Sequence, residues 1–157
     1  LKFINKFYIK VNMKFLLSVA LLLALATVQA AHQVEHKSGD EILNHLQGNN
    51  FNIYVIFFYK SKATDDKTKS ANEDIENRIG EVINDNPEIF YAKVDLSDPS
   101  YRKLGNVVGL KTTPAVLLIV HGKGVWMSGT NAYLTVDRLK DFLPAFKQAS
   151  AHHTEPY

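Results

Sequence analysis

The sequence predicts an α/β domain in three layers, with about four helices on the two sides of a mixed central sheet of four or five strands. Strand-like runs alternate with helical patterns along the first part of the chain, an order that builds parallel strands joined by right-handed crossovers. Residues 51–59 and 115–120 are almost wholly apolar, as in strands that are buried on both faces. An amphipathic stripe between these two runs predicts a long helix.

The first elements follow from local signals. A short strand is expected at residues 33–35. Ser38 and Glu41 then form a capping box, in which Ser38 caps a helix and Glu41 reaches back to the chain before it. The glycine and two asparagines at 48–50 are expected to end this helix.

The middle of the chain contains two strands and two helices. The strand at 51–59 is followed by a helix from about residue 65 to residue 84. A further strand is expected at 89–94. Asp98 and Pro99 then open a short helix that reaches about Leu104, because Asp is a favoured cap and Pro suits the first helical position. The stripe of the long helix consists of Ala71, Ile75, Ile79, Val82 and Ile83.

The last part of the chain predicts a β-hairpin and a helix. A turn at 121–124 joins the strand at 115–120 to a strand at 125–127, and Gly129 marks a bend. Thr135 is expected to cap the last helix, and Pro144 to kink or shorten it near Leu143. The expected buried face of this helix consists of Leu139, Phe142, Leu143 and Phe146.

The N-terminal region has the pattern of a secretory signal. Met13 and a lysine precede an apolar run at 15–26, and Val28 and Ala30 occupy the two small-residue positions of a cleavage site. The run is too short for a bilayer span, which needs about 20 apolar residues, so no stable membrane insertion is expected after cleavage. We interpret residues 1–12 as an upstream segment, 13–30 as a cleaved signal peptide, 31–149 as one domain and 150–157 as a flexible tail. The expected location is the secretory pathway, either outside the cell or in the lumen of the endoplasmic reticulum.

Composition excludes several classes of function. The 157-residue chain contains no cysteine, so it has no disulfide, thiolate zinc site, Cys nucleophile or dithiol redox centre. Four of its 18 Lys and Arg residues precede residue 31, where there is no acid. The remainder therefore has 14 basic and 16 acidic residues, a net charge of −2. Nucleic acid is not an expected partner of such a chain.

Five segments in this order resemble the thioredoxin fold, as found in thioredoxins and protein disulfide isomerase domains. Residues 54–59 resemble the central strand that leads to the family's active-site loop, and residues 90–95 resemble its next parallel strand. The segment 108–119 is the most specific match, and it implies a cis peptide bond before Pro114. Residues 121–123 and Gly129 resemble the hairpin and the glycine after it.

The chain departs from the family where the family performs its chemistry. A gapless match places Ala63, Thr64, Asp65 and Asp66 at the Cys-x-x-Cys positions. Phe57 occupies a position where many members carry a buried carboxylate. Thiol–disulfide exchange needs a thiolate, so the family's oxidoreductase activity is not carried over to this chain.

The resemblance implies one site that survives the loss of cysteine. In the family, the loop before the cis-proline binds extended polypeptide beside the start of the long helix. The corresponding groove would consist of Tyr59, Lys60, Ala63, Thr64, Thr112, Thr113 and Pro114. The alternative is that Pro114 has an architectural role alone.

Other candidate sites have simpler interpretations. Thr64 is expected to cap the long helix, with Asp65 and Asp66 favoured by its positive end rather than paired for acid–base work. The lysines that surround these acids indicate a solvated loop rather than an anion site. We therefore expect no metal and no cofactor. The other candidate metal ligands also have simpler interpretations: the histidines belong to the chain termini, Asp98 is a helix cap and Asp95 ends a strand. These candidates are His32, His36, His152, His153, Asp95 and Asp98.

The leading hypothesis is a redox-inactive thioredoxin-like domain of the secretory pathway that binds unfolded or partner polypeptide. An alternative is a structural or assembly subunit that docks permanently into a larger complex. An enzyme with non-thiol chemistry is a third possibility, but no nucleophile with its base can be named.

Overall fold

The computed structural model describes residues 32–47 and 51–151. The predicted upstream segment, the signal peptide, the helix stop at 48–50 and His152 and His153 lie outside the described residues. No helix in the described ranges is long and apolar enough to cross a membrane.

A five-stranded mixed sheet forms the centre of the molecule, with the spatial order β1-β3-β2-β4-β5. Strands β1, β3 and β2 are parallel, whereas β4 is antiparallel to both β2 and β5. The strands are β1 His32–Gln33, β2 Tyr54–Tyr59, β3 Phe90–Asp95, β4 Ala115–Val120 and β5 Lys123–Ser128. Parallel strands come first along the chain and the antiparallel hairpin comes last, which confirms the predicted mixed sheet.

Four α-helices cover the two faces of the sheet, so the predicted three layers are confirmed. They are α1 Gly39–Leu46, α2 Asp66–Asn84, α3 Arg102–Val107 and α4 Ala132–Ala151, and a 3₁₀ turn at Pro99–Tyr101 precedes α3. Helices α2 and α4 pack on one face of the sheet, and α1 and α3 pack on the other.

The central strand β2 alternates between two hydrophobic cores. Val55 and Phe57 face the core shared with α2 and α4, whereas Ile56 and Phe58 face the core shared with α1 and α3. All four side chains are fully buried, and burial of each contributes about 1.5–3 kcal/mol. The predicted stripe of α2 is buried in the first of these cores or packs at its margin. The apolar runs in the sequence therefore place the sheet and its longest helix correctly.

Four strands have other bounds than predicted. Strand β3 is shifted by one residue from the predicted 89–94, and β5 begins at Lys123, inside the predicted turn, rather than at residue 125. Strand β2 starts at Tyr54 rather than at residue 51. The ring of Phe51 stacks on His121 with 4.7 Å between the centroids, and its carbonyl accepts a hydrogen bond from the Ser150 hydroxyl. Strand β1 lies at His32–Gln33 rather than at 33–35, and the N–H of Val34 makes the last bond to β3.

The caps of α1 and of the 3₁₀ turn are confirmed. The Ser38 hydroxyl accepts a hydrogen bond from the N–H of Glu41. The carboxylate of Glu41 reaches back to the N–H of Lys37 at 2.7 Å, one residue earlier than in a standard capping box. Asp98 accepts from the N–H of Ser100, and the short helical segment continues past Leu104 to the end of α3.

Two predicted caps are wrong because an adjacent polar residue takes the role. Asp65, not Thr64, caps α2 and accepts from the N–H of Thr68 at 2.8 Å. Asn131, not Thr135, accepts from a backbone N–H at the start of α4. Thr135 lies inside the first turns of α4 and is buried.

Helix α4 also differs from the prediction along its length. It continues through Pro144 to Ala151, so of the two predicted effects of the proline the shortening near Leu143 does not occur. Leu139 and Leu143 are buried as predicted, whereas Phe142 is 40% exposed. Packing of the inner face against the sheet and α2 therefore maintains the helix on both sides of the proline.

Candidate functional site

The entrance of β4 is formed by the Thr113–Pro114 peptide bond, which is cis, as the resemblance implies. Pro114 is buried, and Ala115 begins β4 by pairing with Phe58 of β2. The carbonyl of Pro114 accepts a hydrogen bond from the N–H of Gly129 at 3.1 Å. One side of the loop is thus attached to the segment that follows β5.

The other side of this loop lacks a strand partner. If the β2–β4 ladder continued two residues further, Lys60 would lie opposite Thr113. The chain turns away instead, because the carbonyl of Lys60 accepts hydrogen bonds from the N–H of Ala63 and from the Asn72 side chain, both at 3.2 Å. Within residues 32–47 and 51–151, nothing hydrogen-bonds to the N–H or the C=O of Thr113. Thr113 itself is partly exposed.

The loop after β2 is held in this turned-away position by the loop after β3. Asp95 accepts hydrogen bonds from the N–H groups of Ser61 (3.0 Å) and Ser97 (2.9 Å), and the Ser97 hydroxyl accepts from the N–H of Lys62 (3.1 Å). Partial burial acts to raise the pKa of Asp95, but the hydrogen bonds from Ser61 and Ser97 outweigh it and hold that pKa below its usual value. The Asp95 carboxylate therefore anchors the loop and is not available as a general base.

A cavity of about 190 Å³ lies beside the Thr113 backbone on the α3 side of the sheet. Its lining includes Leu110, Lys111 and Thr112 on one side and Ala115, Trp126 and Ser128 on the other. Of these residues, the predicted groove included Thr112 alone. The half-buried Trp126 had a local signal, as an aromatic on the strand of a predicted hairpin, but its position over Ala115 depends on strand register.

Tyr59 does not line this cavity, although it belongs to the predicted groove. Its ring lies on the α2 side of the sheet, with the Lys93 Nζ 4.9 Å from the ring centroid. Burial raises the pKa of the Tyr59 hydroxyl, and Lys93 opposes that effect. The backbone of Tyr59 remains at the end of β2 next to the loop, so the structure separates this side chain from Thr112 and Thr113.

Comparisons with known proteins identify the fold. No protein-family model matches the sequence, and no curated protein matches it. Solved structures do match. Thioredoxin O2 of Arabidopsis thaliana in its oxidised state has 19% identity and a TM-score of 0.58, over 73% of this chain and 94% of that one. Spinach chloroplast thioredoxin f has 12% identity and a TM-score of 0.54, over 80% and 91% of the two chains. Fasciola hepatica thioredoxin has 17% identity and a TM-score of 0.54, over 69% and 94%.

The chain has the thioredoxin fold. At sequence identities below one fifth, the structural similarity establishes the architecture and shows no shared activity. In this thioredoxin-like chain the absence of cysteine decides the chemistry, because no sulfur is present to form the thiolate that exchange requires.

The four residues that the sequence match assigns to the Cys-x-x-Cys positions have structural surroundings of their own. Ala63 is half-buried in the turn that closes on Lys60, and Thr64 is exposed. Hydrogen bonds from the backbone and side chain of Thr68 lower the pKa of Asp65, the α2 cap. Asp66 begins α2 and contacts Lys69 at 3.4 Å on an exposed surface. Capping and solvation account for both carboxylates.

Phe57 stands where many thioredoxin-like proteins carry a buried carboxylate, and its surroundings are apolar. Its side chain is fully buried in the core with α2 and α4, and its ring stacks on Tyr59 with 5.5 Å between the centroids. This position has no group that can accept or release a proton.

The described residues contain no group of three or more side chains that could hold a metal. His32 stacks on Phe90, and the Nδ1 of His36 lies 2.9 Å from the Tyr101 hydroxyl. Asp98 caps the 3₁₀ turn. These contacts give the three residues structural explanations.

Proposed function

We propose that this chain is a redox-inactive thioredoxin-like domain of the secretory pathway that binds extended polypeptide at the loop before β4. The observation that carries the proposal is that the N–H and C=O of Thr113 have no hydrogen-bond partner among the described residues, at the point where β2 turns away from β4. An extended segment can take the place that Lys60 leaves and form an antiparallel pair with Thr113, as in strand addition to a sheet edge.

The position of the loop favours a strand rather than a compact ligand. Backbone hydrogen bonds recognise any extended chain, which suits unfolded polypeptides of diverse sequence. Pro114 has no N–H to offer, so Thr113 supplies both the donor and the acceptor. The loop 60–64 is tied to Asp95 and Ser97, so the opening exists before a ligand arrives and costs little ordering entropy on binding.

The remaining parts of the proposal rest on the sequence. A chain without cysteine has no thiol–disulfide activity of its own. The apolar run at 15–26 with small residues at 28 and 30 supports entry into the secretory pathway.

The proposal can be tested by titrating the ¹⁵N-labelled protein with a neutral decapeptide of alternating Val and Thr residues. Backbone pairing should shift the amide resonance of Thr113 in proportion to occupancy and leave the amides of Asn86 and Lys140, on the α2–α4 side, unchanged. A second decapeptide, N-methylated at alternate residues so that one edge cannot donate, should bind at least about tenfold more weakly, because a lost hydrogen bond costs about 1 kcal/mol and each methyl adds a clash.

Binding with no change at Thr113, or equal affinity for the two decapeptides, would contradict backbone recognition. Tight capture of a single partner, with contacts away from Thr113, would support the assembly-subunit alternative instead.

A further inference from the structure

The cavity beside Thr113 has walls that are fixed before any ligand binds. Helix α3 ends in a Schellman motif: the N–H of Gly109 bonds to the carbonyl of Asn106 at 3.2 Å, and the N–H of Leu110 bonds to that of Gly105 at 2.9 Å. Gly109 has a φ of 75°, which this motif requires and glycine adopts without strain. The motif sets the direction in which residues 110–112 leave the helix, and so it positions one wall of the cavity.

The opposite wall belongs to the β-hairpin. Trp126 lies 5.4 Å from Phe58 between ring centroids, and Ser128 pairs with Ala115 across the two strands. Ala115 is fully buried and contributes a small side chain to the lining of the cavity. The volume of about 190 Å³ is smaller than the roughly 300–1,000 Å³ that encloses a free small-molecule ligand. It is of a size to take one apolar side chain of a larger molecule.

The charge at the rim of the cavity is positive. Lys111 is the single charged side chain in the lining and forms no ion pair with the described residues. Lys60 and Lys62, in the loop opposite Thr113, are exposed and likewise have no carboxylate partner in the described ranges. The Asp95 carboxylate accepts a hydrogen bond from the N–H of Ser61, between these two lysines, so Lys111 is the cation that a ligand carboxylate would meet at the cavity.

We infer that the site selects extended segments in which an apolar side chain enters this cavity and a carboxylate two residues away contacts Lys111. The inference rests on the proposed function and specifies its ligand. A strand paired with Thr113 sends every second side chain to the face that carries Ala115 and Trp126, because side chains alternate along a strand. Two side chains separated by one residue therefore share the cavity face, and the positive rim complements an acidic one.

The experiment compares three decapeptides by fluorescence anisotropy at low salt: one with Phe and, two residues later, Glu; one with Phe and Gln; and one with Ala and Glu. Replacing Phe by Ala should weaken binding by about 10- to 100-fold, the loss expected for one buried aromatic side chain. Replacing Glu by Gln should weaken binding about two- to fivefold, as for a solvent-exposed ion pair, and the difference should shrink in high salt.

Protein variants assign these two effects to the cavity. Lys111→Gln should remove the preference for Glu over Gln, whereas the matched control Lys123→Gln, at the far end of the hairpin, should retain it. Ala115→Val should fill the cavity floor and reduce the preference for Phe over Ala. Ser128→Leu fills the cavity from its exposed rim and should also reduce the preference for Phe over Ala. It replaces Ala115→Val in the test if that buried substitution disturbs folding.

The outcomes separate this inference from the function on which it rests. Equal affinity for all three decapeptides, with the Thr113 amide still shifted, overturns the side-chain selection and leaves backbone binding in place. Retention of both preferences in Lys111→Gln and Ser128→Leu also overturns the assignment to this cavity. If no decapeptide shifts the Thr113 amide, the proposed function itself is overturned.

Discussion

At the scale of single residues, Asp65 shows how a helix cap accounts for a residue that the sequence match assigns to a Cys-x-x-Cys position. Its carboxylate accepts a hydrogen bond from the N–H of Thr68 and lies at the positive end of α2. The hydrogen bonds from Thr68 lower the pKa of Asp65. The residue therefore stabilises the long helix.

This cap predicts an acid-dependent contribution to stability. Because the folded pKa of Asp65 lies below the value of about 3.9 in an unfolded chain, the carboxylate stabilises the fold above about pH 4. The contribution is lost as the pH falls through the lower, folded value. Asp65→Ala should lower the urea midpoint at pH 7, and its difference from the unaltered protein should shrink towards pH 2.

Two matched variants make the cap prediction specific. Asp65→Asn caps by its amide oxygen at every pH, so it should retain most of the stability at pH 7 without the loss in acid. Thr64→Ala should have no effect, because the Thr64 side chain does not cap the helix. A larger loss for Thr64→Ala than for Asp65→Ala would contradict the assignment of the cap.

Local chemistry predicts some caps and misses others for a physical reason. Ser38 and Asp98 are predicted correctly because no stronger capping side chain lies next to them. At the start of α2, Thr64 and Asp65 compete, and the turn that closes on Lys60 decides which of them enters the helix. Before α4, burial draws Thr135 into the helix and leaves the cap to Asn131.

At the scale of elements, α4 is a helix that tertiary packing maintains against its own sequence. Pro144 has no N–H for the carbonyl of Lys140, and it is exposed, beside a cavity that Val82 and Asn86 also line. Leu139 and Leu143 are buried against the sheet and α2 just before it. The periodicity of the sequence correctly predicts the inner face but not the continuation through the proline, because the packing that supports it comes from distant strands.

Replacing this proline should stabilise the protein. Pro144→Ala restores the backbone hydrogen bond to Lys140, and we expect the free energy of unfolding to rise by about 1–3 kcal/mol, after an offset of about 0.4–1 kcal/mol for the freer unfolded chain. Chemical denaturation measures the change. Ala145→Gly, in the same exposed turn, should lower the free energy of unfolding by about 1 kcal/mol. This control shows how strongly helix propensity at this turn affects stability. An unchanged or lower stability of Pro144→Ala would mean that the proline makes contacts worth as much as the missing bond.

The candidate site could be predicted in outline but not in its walls. Residues 108–119 match the cis-proline segment of the thioredoxin fold without a gap, so the sequence is sufficient to predict that Thr112, Thr113 and Pro114 form the loop before β4. The cavity lies between this loop and Trp126, which is brought there by the antiparallel register of β4 with β5. Register is a property of the paired strands, so the sequence does not show that Trp126 lines the cavity. The predicted groove also included Tyr59, whose ring packs instead with Phe57 on the α2 side of the sheet.

At the scale of the whole molecule, the first described strand lies close to the predicted processing site. The first described strand starts at His32 and pairs in parallel with Phe90 at the edge of the sheet. Cleavage after Ala30 would leave one residue before this strand and would remove no described residue. Cleavage at the predicted site is therefore compatible with the pairing of β1 in the sheet.

The mature protein is accordingly expected to begin at Ala31. The apolar run at 15–26 is long enough to engage the export machinery and short of the roughly 20 residues that anchor a chain in a bilayer, and the small residues at 28 and 30 fit the cleavage pocket. Expression in a secreting eukaryotic cell, followed by N-terminal sequencing and intact mass, measures the start point. Ala30→Arg should block cleavage, because a long charged side chain does not fit where a small one is needed, and the uncleaved chain should pellet with membranes. A lumenal or secreted protein that retains residues 15–26, or one that never enters the secretory pathway, would contradict this account and would leave the binding site at Thr113 to be explained in another compartment.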